Sequence, residues 1–445
     1  MARTLVFAVL VLIVCCNGVA QNPVPKTRED KVRGDKAKVE ADGFWIYNDL
    51  NRGLAEAKKT GQPLVVVLRC IPCEQCVKLD DDLVDKDERL RPLLEKFVRV
   101  RLISANGLDL SLFQYDTDQS FAVFLMNADL TIYGRFGTRS DQRNWTDDVS
   151  IAGLAKALEG ALALHQAYPA NKAQLAGKIG PTPDFEAPEK YPQLAGKYGP
   201  ELDYKGNVVQ SCIHCHQIGD AERQYYRDKD GALPERVLFP YPHPKAIGLI
   251  LDPEQRATVL RVDAGSLAEK AGFKTGDEIQ SLDSQPLLSM ADVQWILHHV
   301  PGGGGSVNAV VSRGGQTKNI TLALPAGWRK LDDIAWRASN WQLRRMGLGA
   351  MYLKSMSPEE RAEKKVPPDG MALRAEHVGQ FAPHDVAKRA GVVKDDVLIS
   401  FNGRTDFTRE TDLLNYALNE IPVGARVPAV FMRNGEKFNA ELVTR

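Results

Sequence analysis

Seven cysteines occur in the chain, and the five that follow residue 20 fall into two tight clusters: Cys70, Cys73 and Cys76, then Cys212 and Cys215. Structural disulfides of an exported chain usually lie far apart and close long loops, whereas C-x-x-C spacing suits redox pairs, metals or haem. The second cluster reads Ser211-Cys212-Ile213-His214-Cys215-His216, and C-x-x-C-H is the attachment pattern of c-type haem. On one turn of helix the two thiols reach the two vinyl groups while the adjacent imidazole points at the iron. Half of a zinc site and a plain disulfide are the competing readings; zinc needs about four ligands, and the other cysteines lie far upstream. The expectation is one covalent haem c on Cys212 and Cys215 with His216 as axial ligand. No Met lies between Met126 and Met290, so a His and Met pair cannot form within the segment. The sixth position falls to His243, in Tyr241-Pro242-His243-Pro244, or stays open to an outside ligand. Ligation by two histidines suits electron transfer, and an open position suits small-molecule binding.

The first cluster follows an apolar run, Pro63-Leu64-Val65-Val66-Val67-Leu68-Arg69, and continues Cys70-Ile71-Pro72-Cys73-Glu74-Gln75-Cys76 into a helical pattern. A thiol at a helix N-terminus faces unpaired N–H groups and the positive end of the helix dipole, which stabilise thiolate. This stretch resembles the strand, loop and active-site turn of thioredoxin-fold proteins. The resemblance assigns Cys73 as attacking sulfur and Cys76 as resolving sulfur, with Cys70 auxiliary; Cys70 with Cys73 is the competing register. The thioredoxin fold carries a cis-proline beside the redox pair, and Ser120 stands at that place here. That departure weakens general disulfide exchange and leaves a structural disulfide as the alternative to a thiol-disulfide oxidoreductase.

These residues need a scaffold, and the pattern supplies several. Arg3, the apolar run Leu5 to Val14 and Gly18-Val19-Ala20 read as a signal peptide over 1–20, so the mature chain is exported, periplasmic or otherwise extracytoplasmic. A lipid site at Cys15 or Cys16 lacks the small residue that should precede it. Residues 21–40 are charged and without apolar periodicity, which reads as a flexible tether. Over 41–165, strands expected at 64–69, 97–103, 121–127 and 130–136 alternate with helices, giving a sheet flanked by helices. Residues 166–243 form the cytochrome c-like segment and look too poor in apolar residues to fold alone. The remainder is an internal repeat, 244–325 and 342–445, joined by 326–341: Ala271-Gly272 with Gly276-Asp277 in the first half answers Ala390-Gly391 with Asp395-Asp396 in the second.

Both halves resemble PDZ domains of the bacterial type. The resemblance implies a peptide C-terminus held in backbone N–H groups at a Gly-containing loop and added as a strand, here at Ile247-Gly248-Leu249 and Gly347-Leu348-Gly349. No nucleophile elbow or His and Asp context precedes the repeats, which argues against a serine protease. The 57 basic and 57 acidic residues balance, giving no nucleic-acid footprint, and no apolar run reaches the roughly 20 residues of a membrane span. The whole order is similar to a family of exported bacterial thioredoxin-like/PDZ domain (seleno)proteins, over most of residues 40–445. The expected fold is therefore multidomain, α/β plus mainly-β. The expected function joins a dithiol site to a haem electron carrier, with PDZ-like modules choosing a redox partner protein; a non-enzymatic PDZ scaffold tethering a haem carrier or haem sensor is the alternative.

Overall fold

The computed structural model describes residues 27–69, 87–119, 121–141 and 147–445. The first 26 residues, Cys70, Cys73, Cys76 and Ser120 lie outside the described residues. Strands are numbered β1 (Ile46–Tyr47), β2 (Leu64–Arg69), β3 (Val98–Leu102), β4 (Phe121–Met126), β5 (Ile132–Phe136), β6 (Leu249–Leu251), β7 (Val259–Val262), β8 (Glu278–Leu282), β9 (Gln285–Pro286), β10 (Gly305–Arg313), β11 (Gln316–Leu324), β12 (Met351–Ser355), β13 (Leu373–Val378), β14 (Val397–Phe401), β15 (Arg426–Arg433) and β16 (Glu436–Val443). Helices of two turns or more are α1 (Arg28–Asp42), α2 (Leu50–Thr60), α3 (Ile151–Gln166), α4 (Cys215–Asp230), α5 (Met290–His299), α6 (Asn340–Gly347) and α7 (Glu410–Asn419).

The first five strands form one sheet in the order β1-β3-β2-β4-β5, with β1, β3 and β2 parallel and β4 and β5 antiparallel. β2 is buried along its whole length, as a strand covered on both faces must be, and this is why its sequence is continuously apolar rather than alternating. Leu64, Val66 and Leu68 face a core that includes Val100, Phe113 and Phe124; Val65 and Val67 face Leu154, Ala157 and Leu158 of α3. A Cβ on Gly53 of α2 would overlap Val100 Cγ2, so α2 packs close on β3 because it carries glycine there.

The stretch expected to be a flexible tether is helical from Arg28. Thr27 and Asp30 form a capping box at its start, and reciprocal caps of this kind supply two of the N–H partners a helix end lacks. Only Val32 and Val39 are buried on it. The sparse apolar spacing hid the helix, and polar contacts hold it: Arg33 donates to Tyr204 O and Gly206 O, both at 2.7 Å, and Glu29 accepts the N–H groups of Val208 and Val209 at 3.1 Å.

The segment 166–243 has no core of its own. Tyr191, Leu194, Ile213, Ile218 and Ala221 join the core under β2 and β3, whereas Tyr226, Leu233, Val237, Leu238 and Phe239 join the core of the second repeat. Burying each such side chain stabilises the assembly by about 1.5–3 kcal/mol, so the segment folds by bridging its neighbours. A buried ionic junction completes the bridge. Arg337, from the stretch between the repeats, meets both carboxylate oxygens of Asp116 at 2.7 and 2.8 Å, and Ser339 donates its N–H and hydroxyl to Asp118 at 2.8 and 2.7 Å. Arg223 of α4 reaches Ser339 Oγ and lies 3.7 Å from Asp118. Burial pushes the Asp118 carboxyl up, but Arg223 and Arg337 outweigh it and hold the group below the usual carboxylate range.

The two repeats share one order of elements. β6, β7, a short helix at Leu267–Ala271, β8, α5, β10 and β11 are matched by β12, β13, a short helix at Val386–Arg389, β14, α7, β15 and β16. The second repeat has a single five-stranded sheet, β12-β13-β14-β15-β16; the first divides into β11-β10-β8-β9 and β6-β7. Among the described residues no helix is long and apolar enough to cross a membrane.

Candidate functional site

α4 begins at Cys215, so Cys215 and His216 occupy its first turn and Cys212 sits in the turn before it rather than on the helix as the spacing suggested. The approach to this turn is fixed at several points. Ser211 Oγ accepts from Asp203 N at 2.8 Å and donates to Val208 O at 2.9 Å. Ile213, fully buried, is bound on both sides of its backbone: Ala105 N donates to Ile213 O at 2.9 Å, and Ile213 N donates to Asn106 Oδ1 at 2.8 Å. At the helix start His214 N donates to Gln217 Oε1 at 2.8 Å, and Gln217 donates on to Tyr198 Oη at 3.1 Å.

Cys212 is 6% exposed and Cys215 is half-buried; among the described residues neither closes a disulfide. Burial, with Cys215 as neighbour, pushes the Cys212 thiol up to about 12, so it is the neutral thiol at physiological pH. The His216 side chain is 45% exposed, with Nδ1 3.4 Å from Asp220 Oδ2 one turn on. Burial pushes the Asp220 carboxyl up against the opposing pull of His216. His214, which the sequence reading passed over, stacks on His216 with ring centroids 5.8 Å apart. Burial and the neighbouring His216 and Arg28 push His214 down to about 4, which makes it a neutral imidazole within the motif. Its place between the two cysteines was the available signal.

These residues fit a covalent haem. Two thiols, the Cys212 one buried and neutral, stand at the two sides of a helix start, and an imidazole presents Nδ1 to a carboxylate, the outer contact that orients iron- and zinc-ligating histidines. Cys212 and Cys215 would hold the porphyrin and His216 the iron, which would supply a one-electron couple at this turn.

His243, the candidate for the sixth position, has a carboxylate partner of its own. It is 4% exposed; Nδ1 accepts from Lys245 N at 3.2 Å and Nε2 stands 3.3 Å from Asp148 Oδ1. Lys245 Nζ meets Asp148 at 2.7 Å and Ser140 Oγ at 2.9 Å. Burial lowers the His243 imidazole pKa despite Asp148, so the residue is the buried neutral member of a cluster at the entry to the first repeat, with partners distinct from those of His216. A cavity of about 630 Å³ lies one turn along α4 from the motif, lined by Ile218, Gly219, Glu222 and Arg223 among others. Cys212, Cys215 and His216 do not line it.

In the two loops expected to hold a peptide end, Ile247 ends a 3-10 turn, Gly248 takes φ +74° and Leu249 opens β6. Gly347 ends α6, and Gly349 and Ala350 take φ +61° and +65°.

Comparison with known proteins gives two domain families. A thioredoxin-like family model matches residues 45–128, and a PDZ domain model matches residues 258–304. The chain contains a thioredoxin-like domain and a PDZ domain. It is 28% identical over 187 residues to a probable periplasmic serine endoprotease DegP-like of Marinomonas sp. (strain MWYL1), covering 42% of this chain and 36% of that protein. It is 22% identical over 192 residues to the protein of the same description from Halomonas elongata, covering 43% and 38%. The chain thus spans well under half the length of these relatives. Among solved structures, the HtrA-type protease AlgW with decapeptide shows a TM-score of 0.21 at 18% identity over 32% of this chain and 42% of that one. AlgW with tripeptide shows 0.19 at 18% over 30% and 41%.

Proposed function

We propose that the chain is an exported redox protein in which Cys73 and Cys76 cycle between dithiol and disulfide, one covalent haem c on Cys212 and Cys215 carries electrons, and the PDZ-like modules select the partner. One observation carries the reading: the turn bearing Cys212 and Cys215 docks on the carboxyl end of the thioredoxin-like sheet. Leu68 of β2 pairs with Leu102 of β3, and the residues just past β3, Ala105 and Asn106, are those that hold Ile213. β2 ends at Arg69, one peptide bond before Cys70. Oxidation of a dithiol to a disulfide releases two electrons and two protons, so one haem can take them only in two one-electron steps, with an external one-electron acceptor protein reoxidising it between them and the protons passing to solvent. His216, oriented through Asp220, would supply the iron ligand of a haem held there. Residues 1–20 and the periplasmic description of the DegP-like relatives support export.

The test has two arms. Protein made in a host that attaches c-type haem should show a covalent haem spectrum that is lost in Cys212→Ser; absence of covalent haem in the wild type removes the haem from the reading. Reduction of insulin disulfides should be lost in Cys73→Ser and kept in Cys70→Ser. Inactivity of the wild type in that assay would instead favour the scaffold.

A further inference from the structure

In the second repeat the strand edge open to a peptide is already engaged by the chain itself. β12 is the edge strand of its sheet, with β13 as its one strand neighbour among the described residues. Leu353 N, however, donates to Glu410 Oε1 of α7 at 2.7 Å. An N–H that reaches α7 in place of β13 points out from the sheet, along the direction in which an added strand would pair. Glu410 is 3% exposed and Arg344 4%. Arg344 grips the same carboxylate in two-pronged fashion, Nε to Oε1 at 3.0 Å and Nη2 to Oε2 at 2.6 Å. Further along that edge Ser355 Oγ donates to Thr408 O at 2.6 Å. At the loop, Leu348 N and Ala350 N both donate to Arg344 O at 2.9 and 2.8 Å. The missing Cβ of Gly347 would lie 3.0 Å from Ala417 Cβ of α7. Loop, strand edge and helix are thus closed on one another.

We infer that Glu410 is an internal ligand of the second repeat, and that a peptide with a free C-terminal carboxylate enters at β12 by displacing it from Leu353 and Arg344. The inference rests on the reading of Gly347, Leu348 and Gly349 as a peptide loop. The charge balance selects the partner. Removing Glu410 from Arg344 leaves a buried guanidinium unpaired, which is costly, and an incoming carboxylate restores the pair where a neutral chain end cannot. The exchange breaks no covalent bond and moves no electron.

The measurement is fluorescence anisotropy on the full chain with fluorescein-Gly-Gly-Ser-Tyr-Val-Val as free acid and as C-terminal amide. In Glu410→Gln the acid should bind about tenfold tighter than to wild type, while the amide gains nothing. Arg344→Lys keeps the charge but cannot hold Glu410 by two bonds; it should move the same way by a smaller factor, and it serves if Glu410→Gln does not fold. Equal affinity of the acid for wild type and both folded variants overturns the internal ligand and leaves the peptide loop standing. Failure of the acid to bind any folded form overturns the loop reading, and the inference with it.

Discussion

The two repeats share a build and differ in what their matched helices, α5 and α7, pack against. Each carries a buried aspartate, Asp277 or Asp396, paired at 2.6 or 2.7 Å with an arginine, Arg313 or Arg433, on the penultimate strand. In the first repeat α5 is built into the thioredoxin-like domain: Met290 to Leu297 are all buried. Its Ser289 and Asp292 bind the backbone of Arg135 in the edge strand β5, at 2.6 and 3.2 Å. Trp295 Nε1 donates to Gly177 O at 2.9 Å, and Lys178 meets Asp292 at 2.9 Å with both side chains fully buried. In the second repeat α7 instead closes on its own strand through Glu410. An edge strand needs cover, and β5 receives it from a repeat whose helix is thereby committed to architecture. In the second repeat one carboxylate, Glu410, joins helix, strand edge and Arg344.

The largest test of this contrast removes Asp292. Its carboxylate serves Lys178, the N–H of Arg135 and the N–H of Leu288 at 2.8 Å, so Asp292→Ala strands a fully buried lysine. Loss of one partner of a buried pair costs about 3–5 kcal/mol. Urea unfolding should show that loss with the thioredoxin-like domain and first repeat melting together. A change below about 1 kcal/mol would show that α5 only rests on β5.

A smaller effect comes from the stretch that joins the repeats. Asp332 is 6% exposed; burial, with Asp116 and Asp333, pushes its carboxyl up to about 7 against the pull of Arg337. The folded state then keeps a proton that the unfolded chain loses near pH 4. Its contribution to stability is full below that pH and is lost as pH rises through about 7. Asp332→Asn should therefore gain on the order of 2 kcal/mol relative to wild type between pH 5 and pH 8, read from urea midpoints. A constant difference across that range would place the titration elsewhere.

Much of this was legible in the sequence, and what escaped has common physical causes. The apolar run Leu64 to Leu68, ended by Arg69, marks β2 because a central strand covered on both faces is apolar throughout. The turn ending in Asp277 or Asp396 marks the repeats because each aspartate accepts an N–H of its own turn. α1 escaped because two buried valines in 15 residues leave no stripe, and its hold on Val208 and Val209 comes through one glutamate. His243 stands beside two prolines in a line of text, and only the fold reveals Asp148 beside it. Asp292 and Glu410 look like ordinary helix N-terminal acids; their roles depend on which neighbour each helix meets.

The finest test asks whether the repeats are equal where they match. Asp277 accepts from Lys274 N at 2.9 Å and Asp396 from Val393 N at 2.8 Å. Arg313 also donates to Gly272 O at 2.8 Å and Arg433 to Gly391 O at 2.7 Å. Because both arginines are partly exposed, 30% and 42%, solvent screens the ion pairs, and the stranded backbone N–H supplies most of the expected cost. Asp277→Ala and Asp396→Ala should each lose about 1–2 kcal/mol in urea unfolding, and by similar amounts, since the local partners are the same. Unequal losses would mean that the surroundings set the energy of this turn: the cover of β5 in the first repeat, or the closed edge in the second. Adding Glu410→Gln to Asp396→Ala would then tell which, because a loss that changes with the latch belongs to the second repeat's groove.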